Sequence, residues 1–185
     1  LIRLRLLNFR QHARTEIEFR PGLTGIVGPN GAGKSTILEA IAWAIYGSAA
    51  ARGTNDTIRF NRAPGRSRVE VELTFELAGH EYRVVRTLHN AEVFLDGGTS
   101  PVATSLGGVT EYLQGRLGMS REEFFNTYFT GQKELQFLAQ MGPTQRGRFL
   151  GQVLGYERLR VAQDLARARR NELRHEAEGL RAGLP

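Results

Sequence analysis

The chain has 185 residues, enough for one ordinary domain with a hydrophobic core, and its net charge is +6. With 41% apolar and 24% charged residues, the composition is that of a globular protein and excludes the disordered and membrane classes. Without cysteine, the chain has no disulfide, thiol nucleophile or cysteine-based metal site. It also has no long apolar run and no signal-peptide pattern, so we expect a cytoplasmic protein with no membrane partner.

The N-terminal residues predict a β-hairpin. Ile2, Leu4 and Leu6 alternate with arginines, and the same alternation with charged residues returns around Ile17. A period of two is typical of a strand with one buried face. We therefore expect two antiparallel strands with a turn near residues 11–13.

Residues 23–27 form a short, mostly apolar run that is typical of a strand buried on both faces. A glycine-rich loop follows. Over residues 33–46 apolar side chains recur at helical spacing, and Gly47 stands where the helix should end. The order predicted here is strand, loop, helix.

The loop itself, GPNGAGKS at residues 28–35, fits the pattern of a phosphate-binding loop. Glycines let the backbone form a nest of N–H groups, and the following helix adds its positive end. In such loops the lysine, here Lys34, reaches the β- and γ-phosphates, and the next hydroxyl, here Ser35, ligates Mg²⁺. Because the predicted strand and helix flank the loop, we expect a site for ATP and Mg²⁺ instead of a simple glycine-rich turn.

The middle of the chain predicts a loop and a β-meander. Residues 48–67 are small, polar and interrupted by glycine and proline, as in a long surface loop. Alternating patterns then predict strands over 69–77, 82–88 and 92–95. Asp96 ends the last strand before two glycines, so we interpret it as a turn residue, with metal binding as the alternative.

The remaining residues are predicted to be helical. Helices are expected over 106–117, from Ser120 to about residue 128, and over 144–154. From residue 156 an apolar side chain recurs every seven residues, which favours the first turns of a coiled coil over an amphipathic helix packed on its own domain.

Arginines are in excess near the end of the chain. Residues 146–185 contain nine arginines and five acidic residues, so this part of the chain supplies +4 of the net charge of +6. A surface that contacts DNA phosphates is one explanation, and a solvated helix face is the other.

Three stretches resemble the SMC-like ABC ATPases, whose members include the RecF and SbcC types. They are LNFRQH at 7–12, GPNGAGKST at 28–36, and a longer stretch over 129–159 that contains FTGQKELQFL at 129–138 and VLGYERL at 153–159. The last stretch is similar to the glutamine loop, helices and coiled-coil entry of the SbcC type. The resemblance implies an α/β fold, the N-terminal lobe of an ABC-type P-loop NTPase, with a mixed sheet, an antiparallel β-meander, a helical subdomain and a coiled-coil stub.

Domains and site residues follow from the resemblance. It implies that residues 1–155 form the lobe, with the phosphate loop at 28–36 and the glutamine loop near 132, and that residues 156–185 begin the coiled coil. It also implies that Lys34 and Gln132 are catalytic residues, and that Ser35 and Gln132 are ligands of Mg²⁺. The implied nucleotide contacts are Arg10, Gln11, Asn30, Gly31, Ala32, Gly33, Lys34, Ser35 and Thr36.

The implied function is that of an ATP-binding half of an ATPase head. In the family the signature motif, the acidic strand with its catalytic Glu and the switch His lie in a C-terminal lobe beyond a long coiled coil. Because these motifs are absent from this chain, we expect no hydrolysis by it alone. That lobe would complete the head, and ATP would bridge the head to a second one. Hydrolysis would then control an SbcD-type nuclease on double-stranded DNA. An SMC-type chromosome tether, a RecF-like recombination protein and a P-loop kinase are the alternatives.

Overall fold

The described part of the chain comes from a computed structural model and covers residues 1–128, 142–144, 146–147 and 156–182. It divides into two units, Leu1–Arg121 and Glu122–Pro185. None of the helices in the described ranges is long and apolar enough to cross a membrane. The predicted glutamine loop near residue 132 lies outside these ranges, as does most of the helix expected over 144–154.

A six-stranded antiparallel sheet forms the frame of the first unit, in the order β2-β1-β3-β4-β5-β6. Its strands are β1 (Arg3–Phe9), β2 (His12–Glu18), β3 (Glu70–Leu77), β4 (His80–Thr87), β5 (Ala91–Leu95) and β6 (Ala103–Thr104). The predicted hairpin and β-meander are both confirmed. They meet where β1 pairs with β3, so that Leu4 stands opposite Leu73.

Helices lie close to the predicted positions. The α-helices are α1 (Lys34–Tyr46), α2 (Asn55–Ile58), α3 (Leu106–Leu117), α4 (Arg121–Tyr128) and α5 (Tyr156–Ala182). Gly47 ends α1 as expected, at φ 68°. The region predicted as a long loop contains a 3₁₀ turn at Gly47–Ala50 and the short α2, which the pattern did not indicate.

The core lies between one face of this sheet and the helices α1 and α3. Alternate strand residues such as Leu6, Leu73 and Val84 are fully buried, as period two requires. On the helix side, the Trp43 ring packs 5.4 Å from that of Phe9, between ring centroids. Burying side chains of this size stabilises the fold by about 1.5–3 kcal/mol each.

One charged residue, Arg86, lies in this core with 1% of its surface exposed. Its guanidinium donates to the carbonyls of Ala44 at 2.9 Å and Ile45 at 3.4 Å, at the C-terminal end of α1, and to the Thr110 hydroxyl at 3.0 Å. Burial lowers the pKa of Arg86 to about 10. Sequence reasoning missed this role because the strand was predicted from its apolar residues. Nothing in that pattern showed that Arg86 is buried.

The strand predicted over residues 23–27 is wrong in this structure. The segment has no strand hydrogen bonds, and Leu23 and Val27 are 102% and 96% exposed. An extended segment becomes a strand only beside a hydrogen-bonded neighbour, and none of the six described strands adjoins it. The described sheet is accordingly antiparallel, without the parallel part that would make it mixed.

Asp96 is a turn residue, as predicted. It has φ 49°, and the N–H of Gly98 closes the turn on the Leu95 carbonyl at 2.9 Å. Its carboxylate accepts hydrogen bonds from the His80 ring and the Glu81 N–H, both at 2.8 Å. The hydrogen bond from His80 has the largest effect in lowering the pKa of Asp96, and that from the Glu81 N–H lowers it further.

The α/β fold class is confirmed by the sheet and its covering helices. The second unit begins within α4 and contains the 27-residue helix α5. Whether it pairs into a coiled coil, and whether a domain boundary falls at residue 155, stay predictions.

Candidate functional site

The phosphate loop connects the exposed segment 23–27 to the first turn of α1. Its sharp path depends on Gly31 and Gly33, whose φ values are 83° and 90°. Side chains other than hydrogen are strained in this left-handed region, so both positions require glycine. Between them, the Ala32 N–H closes a tight turn on the Pro29 carbonyl at 3.3 Å.

The N-terminal end of α1 presents backbone donors at this loop. The first carbonyl used by the helix is that of Gly33, which accepts from the N–H groups of Thr36 at 3.0 Å and Ile37 at 3.2 Å. The N–H groups of Lys34 and Ser35 come before the first of these donors and belong to the first helical turn, whose N–H groups have no acceptor within the helix. No acidic residue stands in that turn. The helix end therefore keeps its partial positive charge for an anion.

The ammonium group of Lys34 adds a full charge at the mouth of the loop. It donates to the carbonyls of Gly28 at 2.7 Å and Pro29 at 2.8 Å. An ammonium has three donors. Two of them therefore fix the side chain against the loop, and the third remains for a phosphate oxygen.

The two hydroxyls after Lys34 have different environments. Ser35 is exposed beside the loop, as a residue must be to ligate a metal ion together with a nucleotide. Thr36 is buried, and its Oγ1 donates to Oε1 of Gln11 at 2.9 Å. Gln11, predicted to approach the nucleotide, therefore contacts the helix in this structure.

Arg10 also contacts α1. Its guanidinium lies 2.5 Å from Oε1 of Glu39 and donates to the backbone carbonyls of Thr57, at 2.8 Å, and Arg52. Glu39 in turn accepts from the N–H of Arg52 at 2.8 Å. The structure thus pairs Arg10 with a carboxylate of α1, while its predicted phosphate contact stays a prediction.

A third residue of the same β1–β2 turn, His12, reaches the phosphate loop directly. Its Nε2 lies 3.2 Å from the Gly33 carbonyl oxygen, and its Nδ1 lies 2.9 Å from Oγ1 of Thr15. Sequence reasoning had the signal, since His12 ends the LNFRQH stretch, but assigned it no role. The hairpin turn therefore brings Arg10, Gln11 and His12 together along the first turns of α1.

The glycine loop and the start of α1 together offer the backbone donors and the positive charge that a phosphate group requires. The cradle predicted from Asn30 to Thr36 forms one continuous loop and helix start. Gln132, predicted to contact Mg²⁺ or the attacking water, lies outside the described residues. Its place in the site stays a prediction.

Comparison with known proteins gives a family match over most of the chain. Residues 3–177 match the AAA domain family. The DNA double-strand break repair Rad50 ATPase of Thermoplasma volcanium is 34% identical over 166 residues, which are 85% of this chain and 18% of that protein. The Rad50 ATPase of Thermoplasma acidophilum is 32% identical over 191 residues, which are 98% of this chain and 20% of that protein.

A bacterial relative is similar over the same region. The SbcC component of the nuclease SbcCD from Deinococcus radiodurans is 29% identical over 187 residues, 95% of this chain and 20% of that protein. The chain therefore spans about a fifth of the length of these curated relatives.

Proposed function

The chain belongs to the AAA domain family, and from this premise we propose that it is the ATP-binding part of the head of an SbcC/Rad50-type DNA double-strand-break repair ATPase. The observation that carries the proposal is the phosphate loop at the start of α1, with its glycines, Lys34 and exposed helix N-terminus. The similarity of most of the chain to repair ATPases supports the same function.

The residues of the loop fit ATP with Mg²⁺. The N–H groups at the start of α1 and the Lys34 ammonium offer donors and positive charge to the β- and γ-phosphates. Ser35 would ligate the metal ion, which supplies further positive charge to the phosphates. Phosphoryl transfer is accelerated by positioning and charge stabilisation without a covalent step, so these residues hold the γ-phosphate while Gln132 orients the attacking water.

A C-terminal lobe of the same protein is the first proposed partner. Residues 23–27 are mostly apolar and lie outside the described sheet, and both Leu23 and Val27 are exposed. Such a segment gains backbone hydrogen bonds and burial when another strand pairs with it. The relatives are about five times longer than this chain, which supports a further lobe that supplies the strand and the missing acidic groups.

The other proposed partners are a second head, an SbcD-type nuclease and double-stranded DNA. In this proposal ATP joins two heads, and hydrolysis reopens them to control the nuclease. The name of the Deinococcus radiodurans relative, which is part of a nuclease, supports the nuclease partner.

The DNA surface is proposed for the arginines of α5, and ion pairs distinguish two sets among those whose side chains the structure describes. Arg167, Arg169 and Arg174 each lie within 4.0 Å of an acidic side chain one turn away. Arg170 instead donates to Oδ1 of Asn171 at 3.2 Å and has no acidic partner among the described residues.

Charge reversal tests the DNA surface. Arg170→Glu in the complete head should weaken binding of duplex DNA and reduce its salt dependence, more than the paired Arg169→Glu does. If the DNA affinity and the salt slope stay unchanged in both variants, α5 is not the DNA surface.

The proposed function as a whole is tested by ATP hydrolysis. The 185-residue chain alone should bind ATP weakly and hydrolyse it at the background rate. Adding the C-terminal lobe should restore Mg²⁺-dependent hydrolysis, with a rate that rises more steeply than linearly with head concentration because two heads must meet.

Two variants check the assignment of the site. In the reconstituted head, Gln132→Ala should lower kcat more than ATP affinity, since the contact matters most in the transition state. Strong Lys34-dependent hydrolysis by the chain alone would contradict the proposal, and Asp96 would then be the first acidic residue to test.

A further inference from the structure

His12 connects the hairpin to the phosphate loop through both nitrogens of its ring. The residue begins β2 and is half-buried, with Nδ1 2.9 Å from the Thr15 hydroxyl and Nε2 3.2 Å from the Gly33 carbonyl oxygen. Nothing in the proposed chemistry of ATP hydrolysis uses this side chain directly.

The two contacts determine which nitrogen carries the proton in the neutral ring. A carbonyl oxygen only accepts, so Nε2 must donate to Gly33. The other nitrogen, Nδ1, is then an acceptor, and the Thr15 hydroxyl donates to it. The Gly33 carbonyl therefore fixes the tautomer, and the hydrogen bond from Thr15 to Nδ1 supports the ring in it.

The Gly33 carbonyl belongs to the same peptide unit as the N–H of Lys34. This peptide is trans, as are all the described peptide bonds, so its C=O and N–H point in opposite directions. His12, Thr36 and Ile37 all donate to the carbonyl. With the oxygen held on the hairpin and helix side, the Lys34 N–H points away from them.

We propose that His12 is a positioning residue that orients the Lys34 amide toward the phosphates of the bound nucleotide by holding the Gly33 carbonyl. The inference rests on the proposed function, because it concerns the same ATP site. Gly33 is fitted to this role, since a Cβ there would lie 2.6 Å from Nε2 of His12. Glycine at this position therefore allows both the backbone φ of 90° and the close approach of the His12 ring.

A matched pair of variants tests the role of the donor. His12→Gln places an amide donor at about the reach of Nε2, whereas His12→Met has similar length and no donor. Calorimetric titration of the full-length protein with Mg²⁺·ADP and, separately, with adenosine measures binding with and without phosphates.

We expect His12→Met to weaken ADP binding by about tenfold, the effect of one net hydrogen bond, with adenosine binding and the melting temperature unchanged. His12→Gln should restore ADP affinity to within about threefold of the parent protein. Equal ADP affinity of the parent and His12→Met, or failure of His12→Gln to rescue the loss, overturns the inference.

The outcomes separate this inference from the proposed function. If the parent protein binds no nucleotide, the proposed function itself fails. Should His12→Met lower the melting temperature, Thr15→Val serves as the second variant, because it removes the hydroxyl that holds Nδ1 of His12 and leaves His12 in place. An ADP affinity about threefold lower then supports the role of His12, and an unchanged affinity overturns it.

Discussion

The guanidinium of Arg10 lies 2.5 Å from the carboxylate of Glu39, and each of these side chains is 16% exposed. Arg10 also donates to two backbone carbonyls, those of Thr57 and Arg52, while its Nε is buried without a hydrogen-bond partner among the described residues. If Arg10 contacts the phosphates, as the resemblance implies, its pair with Glu39 must open. Glu39 and the nucleotide would then compete for the same cation.

This competition predicts opposite effects of two substitutions. Glu39→Gln removes the competing charge and should strengthen ATP binding by roughly three- to tenfold, whereas Arg10→Ala should weaken it by at least as much. Calorimetric titration with ATP and Mg²⁺ measures both, with melting temperatures as the check on folding. Unchanged ATP affinity in Arg10→Ala would instead make Arg10 a structural link between the hairpin and α1.

Replacing Lys34 should remove most of the nucleotide affinity. Lys34→Ala deletes the one cation held within the described phosphate loop, at a cost of about 2–4 kcal/mol in ATP binding, because a charge-assisted contact is lost. Calorimetry gives the affinity directly. Arg5→Ala is the control, since Arg5 is an exposed cation of the sheet that pairs with Glu16. A similar loss in both variants would mean that the effect is one of net charge alone.

Arg86 should be a strong determinant of stability. Arg86→Met leaves the carbonyls of Ala44 and Ile45 without their donor and should lower the free energy of unfolding by about 2–4 kcal/mol. Denaturant unfolding measures the change. Arg83→Met, in the same strand, is the matched control: the guanidinium lies 4.0 Å from the Phe94 ring centroid, and its loss should cost below about 1 kcal/mol. Equal costs would show that the buried position of Arg86 does not matter.

The hairpin turn at Asp96 should make stability depend on pH in the acid range. Its pKa is lowered in the folded chain from the ordinary value of 3.8, first by the hydrogen bond from His80 and then by that from the Glu81 N–H. The folded state therefore gains stability from the carboxylate above pH 3.8 and loses it as pH falls through the lowered pKa.

The measurement for this prediction is a series of melting temperatures against pH. The parent protein should melt higher than Asp96→Asn near neutral pH, and the difference should shrink below pH 3.8. A difference that is constant over this range would show that the carboxylate charge is not involved.

Local sequence patterns were sufficient for most of the fold. Period-two alternation predicted β3 and β4, and helical spacing with a terminal glycine predicted α1, because these patterns reflect burial of one face. The same logic failed for residues 23–27. Their composition indicates burial, but a strand also needs a neighbour, and the described sheet does not provide one.

By itself, the sequence determined the loop and helix start of the candidate phosphate site, since the glycines, Lys34 and Ser35 lie in one continuous segment and need only local geometry. The tertiary structure decided what the hairpin turn does there. Arg10 meets Glu39, and His12 meets Gly33, across 29 and 21 residues of sequence. Such contacts depend on how β1 and β2 pack against α1, and no spacing within a single segment encodes that packing.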